Sequence, residues 1–384
     1  MVVVNRMVVL MVDALGWELA SRRSGFAPGL THRRKLETVL GFSTGALPTL
    51  FTGRLPSEHG RWVMYRRTAG RGVFRGFGAI GLLPARIQRS WRFGRWLRRL
   101  VESRGVRGYF DLYEVPRPLL AEFDLVERDD LFVPGGLPVD SLWDTLDRRR
   151  IPWRGWNWRT PESEALDALA ARLEHGDERF LFCYTADLDA TLHREGSRGP
   201  QVGPRLERYS AWLTAIARAA ERRGEQVGLY LLSDHGMVDV HHHADVMAAV
   251  ARLGLRMPDE FLAFFDSSMA RFWWRSESAR ARVRTALANF PGRWLDGAAL
   301  AAAGCGYDDH AYGDEVFLLD PGVLLVPSFM GREPVAAMHG YAPGHPDMAA
   351  LLWSNRPVPA DVRGLPDVRG FLERELDALA REAA

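Results

Sequence analysis

Three segments of the chain carry side chains able to hold a divalent cation, and a fourth carries hydroxyls able to attack an electrophile. Ser233-Asp234-His235-Gly236-Met237 sets a carboxylate beside an imidazole, and both are good ligands for zinc. Gly236 would let the backbone turn sharply enough to aim its two neighbours at one ion. In Asp187-Leu188-Asp189-Ala190-Thr191-Leu192-His193, Asp189 and His193 share a face if the segment is helical. Asp187 competes with Asp189 but lacks that spacing to His193. His339 lies in Met338-His339-Gly340-Tyr341, a turn-like segment before the apolar Met348 to Trp353. In Gly41-Phe42-Ser43-Thr44-Gly45-Ala46, two hydroxyls sit at the entry to an expected helix. Backbone N–H groups and the helix dipole there favour an anionic phosphate. Each segment alone also has an ordinary reading: a polar turn, a surface ion pair, a structural histidine, and an N-cap at Ser43 or Thr44.

The elements around these residues sharpen the choice. Met7 to Asp13, Phe180 to Thr185 and Val227 to Ser233 are short apolar runs ending at acidic or hydroxyl residues, as buried parallel strands do. Helical patterns at Glu162 to Leu173 and Pro204 to Arg223 alternate with them, which is βαβ architecture. Ligands of such sheets collect at the carboxyl ends of strands, where Asp13, Asp189 and Asp234 fall. The 384 residues are expected to form one α/β domain over 1–384, because large α/β enzymes keep one core at this size. Two Arg-, Gly- and aromatic-rich stretches, at about 61–140 and 257–334, are expected to be insertions beside the strand ends.

Taken in order, these motifs resemble the alkaline phosphatase superfamily, specifically its type I phosphodiesterase/nucleotide pyrophosphatase branch. Asp13 after the first strand resembles the opening metal aspartate, and Ser43, before Thr52-Gly53 and His59-Gly60, stands where the nucleophile sits, with Thr44 as the adjacent alternative. Asp189, His193 and Gly196 match the Asp-x3-His-x2-Gly element. Asp234-His235-Gly236-Met237 and His339-Gly340-Tyr341 complete the set. The resemblance implies a three-layer α/β sandwich with a mostly parallel sheet. It implies one metal on Asp13, Asp234 and His235, a second on Asp189, His193 and His339, and Ser43 approaching the first. A phosphoric ester would be cleaved through a phosphoryl-enzyme intermediate at two divalent ions. Zinc suits mixed imidazole and carboxylate ligands best, with manganese or iron as alternatives. The same site could serve a phosphodiesterase, a phosphomonoesterase or a phosphoryl transferase, and the alternative of another class is a non-catalytic, metal-stabilised protein that binds an anionic surface. Ala46 stands where nucleotide pyrophosphatases of this branch carry an asparagine three residues after the nucleophile, so a donor to the phosphate must come from the backbone or from an insertion arginine. No Cys-x-Pro-x-Arg context marks a sulfatase.

Composition narrows the remaining classes. A hydrophobic share of 47% with 26% charged residues is that of a folded globular protein, and a net charge of +2 gives no reason to expect specific nucleic-acid binding. The expected partner is a small phosphoester; oligomeric state is open. Cys183 and Cys305 form no zinc-type pair and are expected to be reduced thiols. The apolar stretch from Met7 to Val12 is too short to span a bilayer or act as a signal peptide, so a cytoplasmic location is expected. Pro84 to Ser103 is expected to be one helix. On it Ile87, Trp91, Leu97 and Val101 share a face, while Phe93, Trp96 and Leu100 lie elsewhere and the arginines wind around it. That arrangement favours a packed lid helix over contact with an anionic membrane surface or polymer, which would need separated faces. Trp62, Tyr65, Arg66 and Arg67 are candidates to line a leaving-group pocket. His241-His242-His243 stands too close to Asp234-His235 to join the same site.

Overall fold

The computed structural model describes residues 6–68, 71–88, 90–222 and 226–381. Six strands form its main sheet: β1 (Arg6–Val12), β2 (His32–Leu36), β3 (Trp153–Trp156), β4 (Phe180–Thr185), β5 (Val227–Leu232) and, after an inserted sheet, a last strand at Ala350–Ser354. The inserted sheet is antiparallel and contains β6 (Phe261–Phe265), β7 (Met269–Trp274), β8 (Gly292–Leu295) and β9 (Glu315–Leu319), so the last strand of the main sheet is β10. The main order is β2-β10-β5-β1-β4-β3. β1 pairs in parallel with both β4 and β5, and β3 in parallel with β4; β10 runs antiparallel to β2 and β5.

All seven residues of β1 are buried, as expected of a parallel strand covered on both faces. Its side chains alternate between two cores. Val8, Leu10 and Val12 face α3 (Glu162–His175) and α5 (Val202–Arg222); Met7, Val9 and Met11 face α1 (Ser43–Thr52) and α6 (Leu365–Arg381). Helices on both faces of a mostly parallel sheet make the expected α/β three-layer sandwich. The remaining helices used below are α2 (Trp91–Ser103) and α4 (Asp187–Glu195). No helix among the described residues is long and apolar enough to cross a membrane.

The two inserted stretches share one core. Tyr65, Phe74 and Phe123 from the first pack with Phe264, Trp273 and Phe317 from the second. Arg271 ties them: its Nε donates to Asp266 at 2.8 Å and its Nη1 to the carbonyl of Tyr65 at 2.8 Å, all buried.

The helix expected over 84–103 is instead two, Ala85–Gln88 and α2. Ser90 caps α2, its hydroxyl accepting from the Phe93 amide at 3.3 Å, so the phase of α2 starts afresh there. Phe93, Leu97, Leu100 and Val101 form one inward face on the insertion core, whereas Trp91 and Trp96 are exposed. The faces are therefore separated, contrary to the reading of a continuous helix.

Candidate active site

Each of the expected side chains comes from the carboxyl-end side of the main sheet. Asp13 follows β1 directly, Asp234 and His235 follow β5, and Asp189 and His193 lie on α4, the helix after β4. Ser43 is the first residue of α1, and His339 follows a two-residue strand, Ala337–Met338. Parallel neighbours β4, β1 and β5 thus bring their ends to one place, and the helices and loops that follow them converge there.

Ser43 Oγ lies 3.0 Å from His235 Nε2 and 3.5 Å from Asp13 Oδ1. His235 Nε2 is 3.4 Å from Asp13 Oδ1 and 3.3 Å from Asp234 Oδ2. On the other side His193 Nε2 and His339 Nε2 face Asp189 Oδ1 at 3.3 and 3.7 Å. The rings of His235 and His339 stack at 3.9 Å between centroids, which joins the two halves. Donor atoms of Asp189, His193 and His339 lie within 4.8 Å of one another, and so do those of Asp13, Asp189 and His235. Asp189 is common to both groups. Asp234 stands one contact further out in the first group, its Oδ1 accepting the Ala14 amide at 3.3 Å.

The hydrogen bonds fix which ring nitrogens point inward. His235 Nδ1 donates to the Gly236 carbonyl at 2.9 Å and His193 Nδ1 to the Ala337 carbonyl at 2.8 Å, so Nε2 is the ring nitrogen each turns toward a carboxylate. A carboxylate oxygen and a ring nitrogen held face to face are stable only with a proton or a cation between them. Asp189 Oδ1, Asp234 Oδ2 and His339 Nδ1 are also buried without a hydrogen-bond partner, a costly state for polar atoms. Burial, then the charges of Asp234 and Asp189, push the Asp13 carboxyl well above the usual carboxylate range, with Tyr184 opposing. Burial, then His235 and His193, hold His339 well below the usual imidazole range. At His193 burial acts downward, but Asp189 outweighs it and the net direction is up. Crowded carboxylates beside three imidazoles form a donor set that divalent cations fit.

The backbone is shaped to allow this convergence. A Cβ on Gly236 would lie 2.0 Å from the Asp347 carbonyl oxygen, so glycine is needed for close approach; a sharp turn is not the reason, since its φ is not positive. Gly45 likewise meets the Trp62 carbonyl, 2.7 Å from where a Cβ would be. His59 holds α1 from behind, its Nε2 3.0 Å from Thr49 Oγ1.

A cavity of about 460 Å³ opens beside Ser43. Thr44 lines it, as do Phe132, Tyr109, Tyr113 and Trp158. Several expectations need correction here. Trp62, Tyr65, Arg66 and Arg67 do not line it; Trp62 is buried, with Nε1 donating to the Leu40 carbonyl at 2.7 Å. No arginine is among the described lining residues. Ala46 itself is packed in the core beneath α1. Asp187 turns away to Arg205 at 3.0 Å. His241, His242 and His243 are exposed and join neither convergent group. Both cysteines are buried and free, and burial pushes the Cys183 thiol up to about 12.

Sequence reasoning missed Tyr184, whose hydroxyl donates to Asp13 Oδ2. It pairs with Met11 across β4 and β1, two residues before Asp13. A tyrosine near the carboxyl end of an apolar strand was the available signal.

Residues 7–290 match the model of the family described as Type I phosphodiesterase / nucleotide pyrophosphatase, a span that includes every expected ligand except His339. No curated protein matches the chain. Among solved structures, human ectonucleotide pyrophosphatase / phosphodiesterase 5 is similar, with a TM-score of 0.65 at 13% identity over 97% of this chain and 95% of that one. The murine protein of the same name, in an inactive form in complex with AMP, gives 0.63 at 15% identity over the same shares. These likenesses establish a shared alkaline phosphatase-like fold.

Proposed function

Because this chain belongs to the type I phosphodiesterase / nucleotide pyrophosphatase family and is a phosphoester hydrolase, we propose that it cleaves a phosphodiester at a two-metal site with Ser43 as nucleophile. One metal would be held by Asp13, Asp234 and His235, the other by Asp189, His193 and His339. Zinc is the metal that best suits three imidazoles and three carboxylates. Bound there, divalent ions would neutralise the phosphate and favour the serine alkoxide at neutral pH.

The chain's own residues supply the rest. Ser43 and Thr44 open α1, where amides lacking a preceding turn and the helix dipole favour an anionic phosphate. This compensates for Ala46. Ser43 Oγ forms a bond to phosphorus as the ester's leaving oxygen departs, and water then breaks the Ser43 phosphoester to release product. Tyr184 donates to Asp13 and fixes its carboxylate, while the Gly236 and Ala337 carbonyls hold the His235 and His193 rings, as outer partners of metal-binding histidines do.

The observation that carries the reading is the convergence of one ligand atom each from Asp189, His193 and His339 within 4.8 Å of one another, with both Nε2 atoms facing Asp189 Oδ1. The AMP complex of the murine relative suggests a nucleotide-sized group for the aromatic cavity here. The alternative, a phosphomonoesterase or phosphoryl transferase, uses the same residues. Metal analysis should find two ions per chain. Ser43→Ala should nearly abolish hydrolysis of bis-nitrophenyl phosphate, and preference for mono-nitrophenyl phosphate would turn the assignment to the monoesterase. Retained activity in Ser43→Ala would pass the nucleophile's role to Thr44.

A further inference from the structure

We propose that the outer face of α2, together with Leu82, Leu83 and the short helix Ala85–Gln88 before it, docks on the surface of an anionic phospholipid bilayer. Five of the ten large hydrophobic side chains exposed among the described residues fall within residues 82–96. Leu82 is 89% exposed, Trp91 65% and Trp96 55%, with Leu83 and Ile87 partly exposed in the same stretch of sequence. Single exposed apolar residues are ordinary, but a cluster in one short segment marks an interaction surface.

Charge selects the occupant. Between residues 71 and 107 the chain has ten arginines and one acid, Glu102, and Glu102 is taken by Arg98 at 3.4 Å. Arg92, Arg95 and Arg99 are exposed on the side of α2 opposite its buried face. Arg95 and Arg92 lie over the Trp91 ring, at 4.6 and 5.7 Å from its centroid. With a whole-chain charge of only +2, this concentration is local. A helix with a packed inner face and an outer face of tryptophan and arginine fits the headgroup boundary, where indole rings insert and guanidinium groups meet lipid phosphates. The bare Leu82 argues for a bilayer over a nucleic acid, since a phosphate backbone gives an aliphatic side chain nothing to bury against. The patch adjoins the cavity wall: Arg98 lies 4.8 Å over the Phe110 ring, next to Tyr109, which lines the cavity.

Co-sedimentation of the full chain with vesicles tests this, independently of hydrolysis and so of the metal assignment. Binding is expected to vesicles of phosphatidylcholine with phosphatidylglycerol, not to phosphatidylcholine alone, and to fall as salt rises. Trp91→Ala with Trp96→Ala should weaken it by at least about tenfold. Arg92→Gln, Arg95→Gln and Arg99→Gln together should weaken it by roughly a hundredfold, at about fivefold per arginine, while the three Arg→Lys replacements keep binding. All these positions are exposed on an already packed helix, so unchanged circular dichroism should confirm folding. If either set of variants unfolds, the other decides. Wild-type binding by either folded set, or tighter binding to duplex DNA than to anionic vesicles, overturns the proposal.

Discussion

Replacing Gly236 by alanine should cripple the site without touching any side chain that performs chemistry. The added Cβ would lie 2.0 Å from the Asp347 carbonyl oxygen and 3.1 Å from Gly16 Cα. A carbon and a carbonyl oxygen need about 3.3 Å, so one backbone must retreat by roughly 1.3 Å. Both contacts are main chain, so no rotamer change relieves them. The Gly236 amide also donates to the Met348 carbonyl at 2.9 Å, and its carbonyl receives His235 Nδ1. Retreat therefore carries Asp234 and His235 with it. Overpacking of this kind costs about 1–3 kcal/mol of stability, and a displacement near 1 Å at a reacting centre costs about a hundredfold in rate. The assay is kcat/KM on bis-nitrophenyl phosphate together with metal content and thermal midpoint. Gly297→Ala is the control, since nothing lies within 4 Å of its Cβ position and it opens a helix; it should match wild type or gain slightly in stability. Wild-type activity and midpoint in Gly236→Ala would refute the claim that close backbone approach sets the ligand geometry.

Asp189→Asn should lower kcat/KM by about 10³-fold, several kcal/mol of transition-state stabilisation, and reduce bound metal at both positions, because its carboxylate belongs to both donor groups; loss of only one ion would confine it to the second. Chelation should lower the thermal midpoint as well as activity, since ligands that bind only the folded state stabilise it, and restored midpoint on adding zinc checks this. His59 is lowered to about 4 by burial, with Arg61 assisting. The unfolded chain therefore takes up this proton first as pH falls. Stability present above pH 6.5 should be lost between 6.5 and about 4, by about 3 kcal/mol, and denaturant titrations should find this slope flattened in His59→Gln. Trp158→Ala, at the exposed edge of the cavity, should raise KM for aryl diesters with little change in kcat; an unchanged KM would remove it from the binding wall.

What the sequence determined was set by local rules. Apolar runs that are buried on both faces declare parallel strands, and β4 spans the same residues as its apolar run, Phe180–Thr185. The four-residue spacing of Asp189 and His193 on a helix fixed their common face. Order along the chain, more than any one motif, pointed to the family. What only the tertiary structure decided was everything that depends on separate elements meeting. Nothing near Tyr184 in sequence tells that its hydroxyl will reach Asp13 from the neighbouring strand. Likewise, no local pattern reveals that Phe132, Tyr109 and Trp158 will wall the cavity while Trp62 turns inward to Leu40. The phase of α2 was misjudged because one cap, Ser90, restarts the helix and rotates Trp91 to the outside. Period and propensity are properties of a few consecutive residues. A cavity, an unpartnered carboxylate oxygen and a forbidden Cβ are properties of distances between segments far apart in the chain, and only folding sets those.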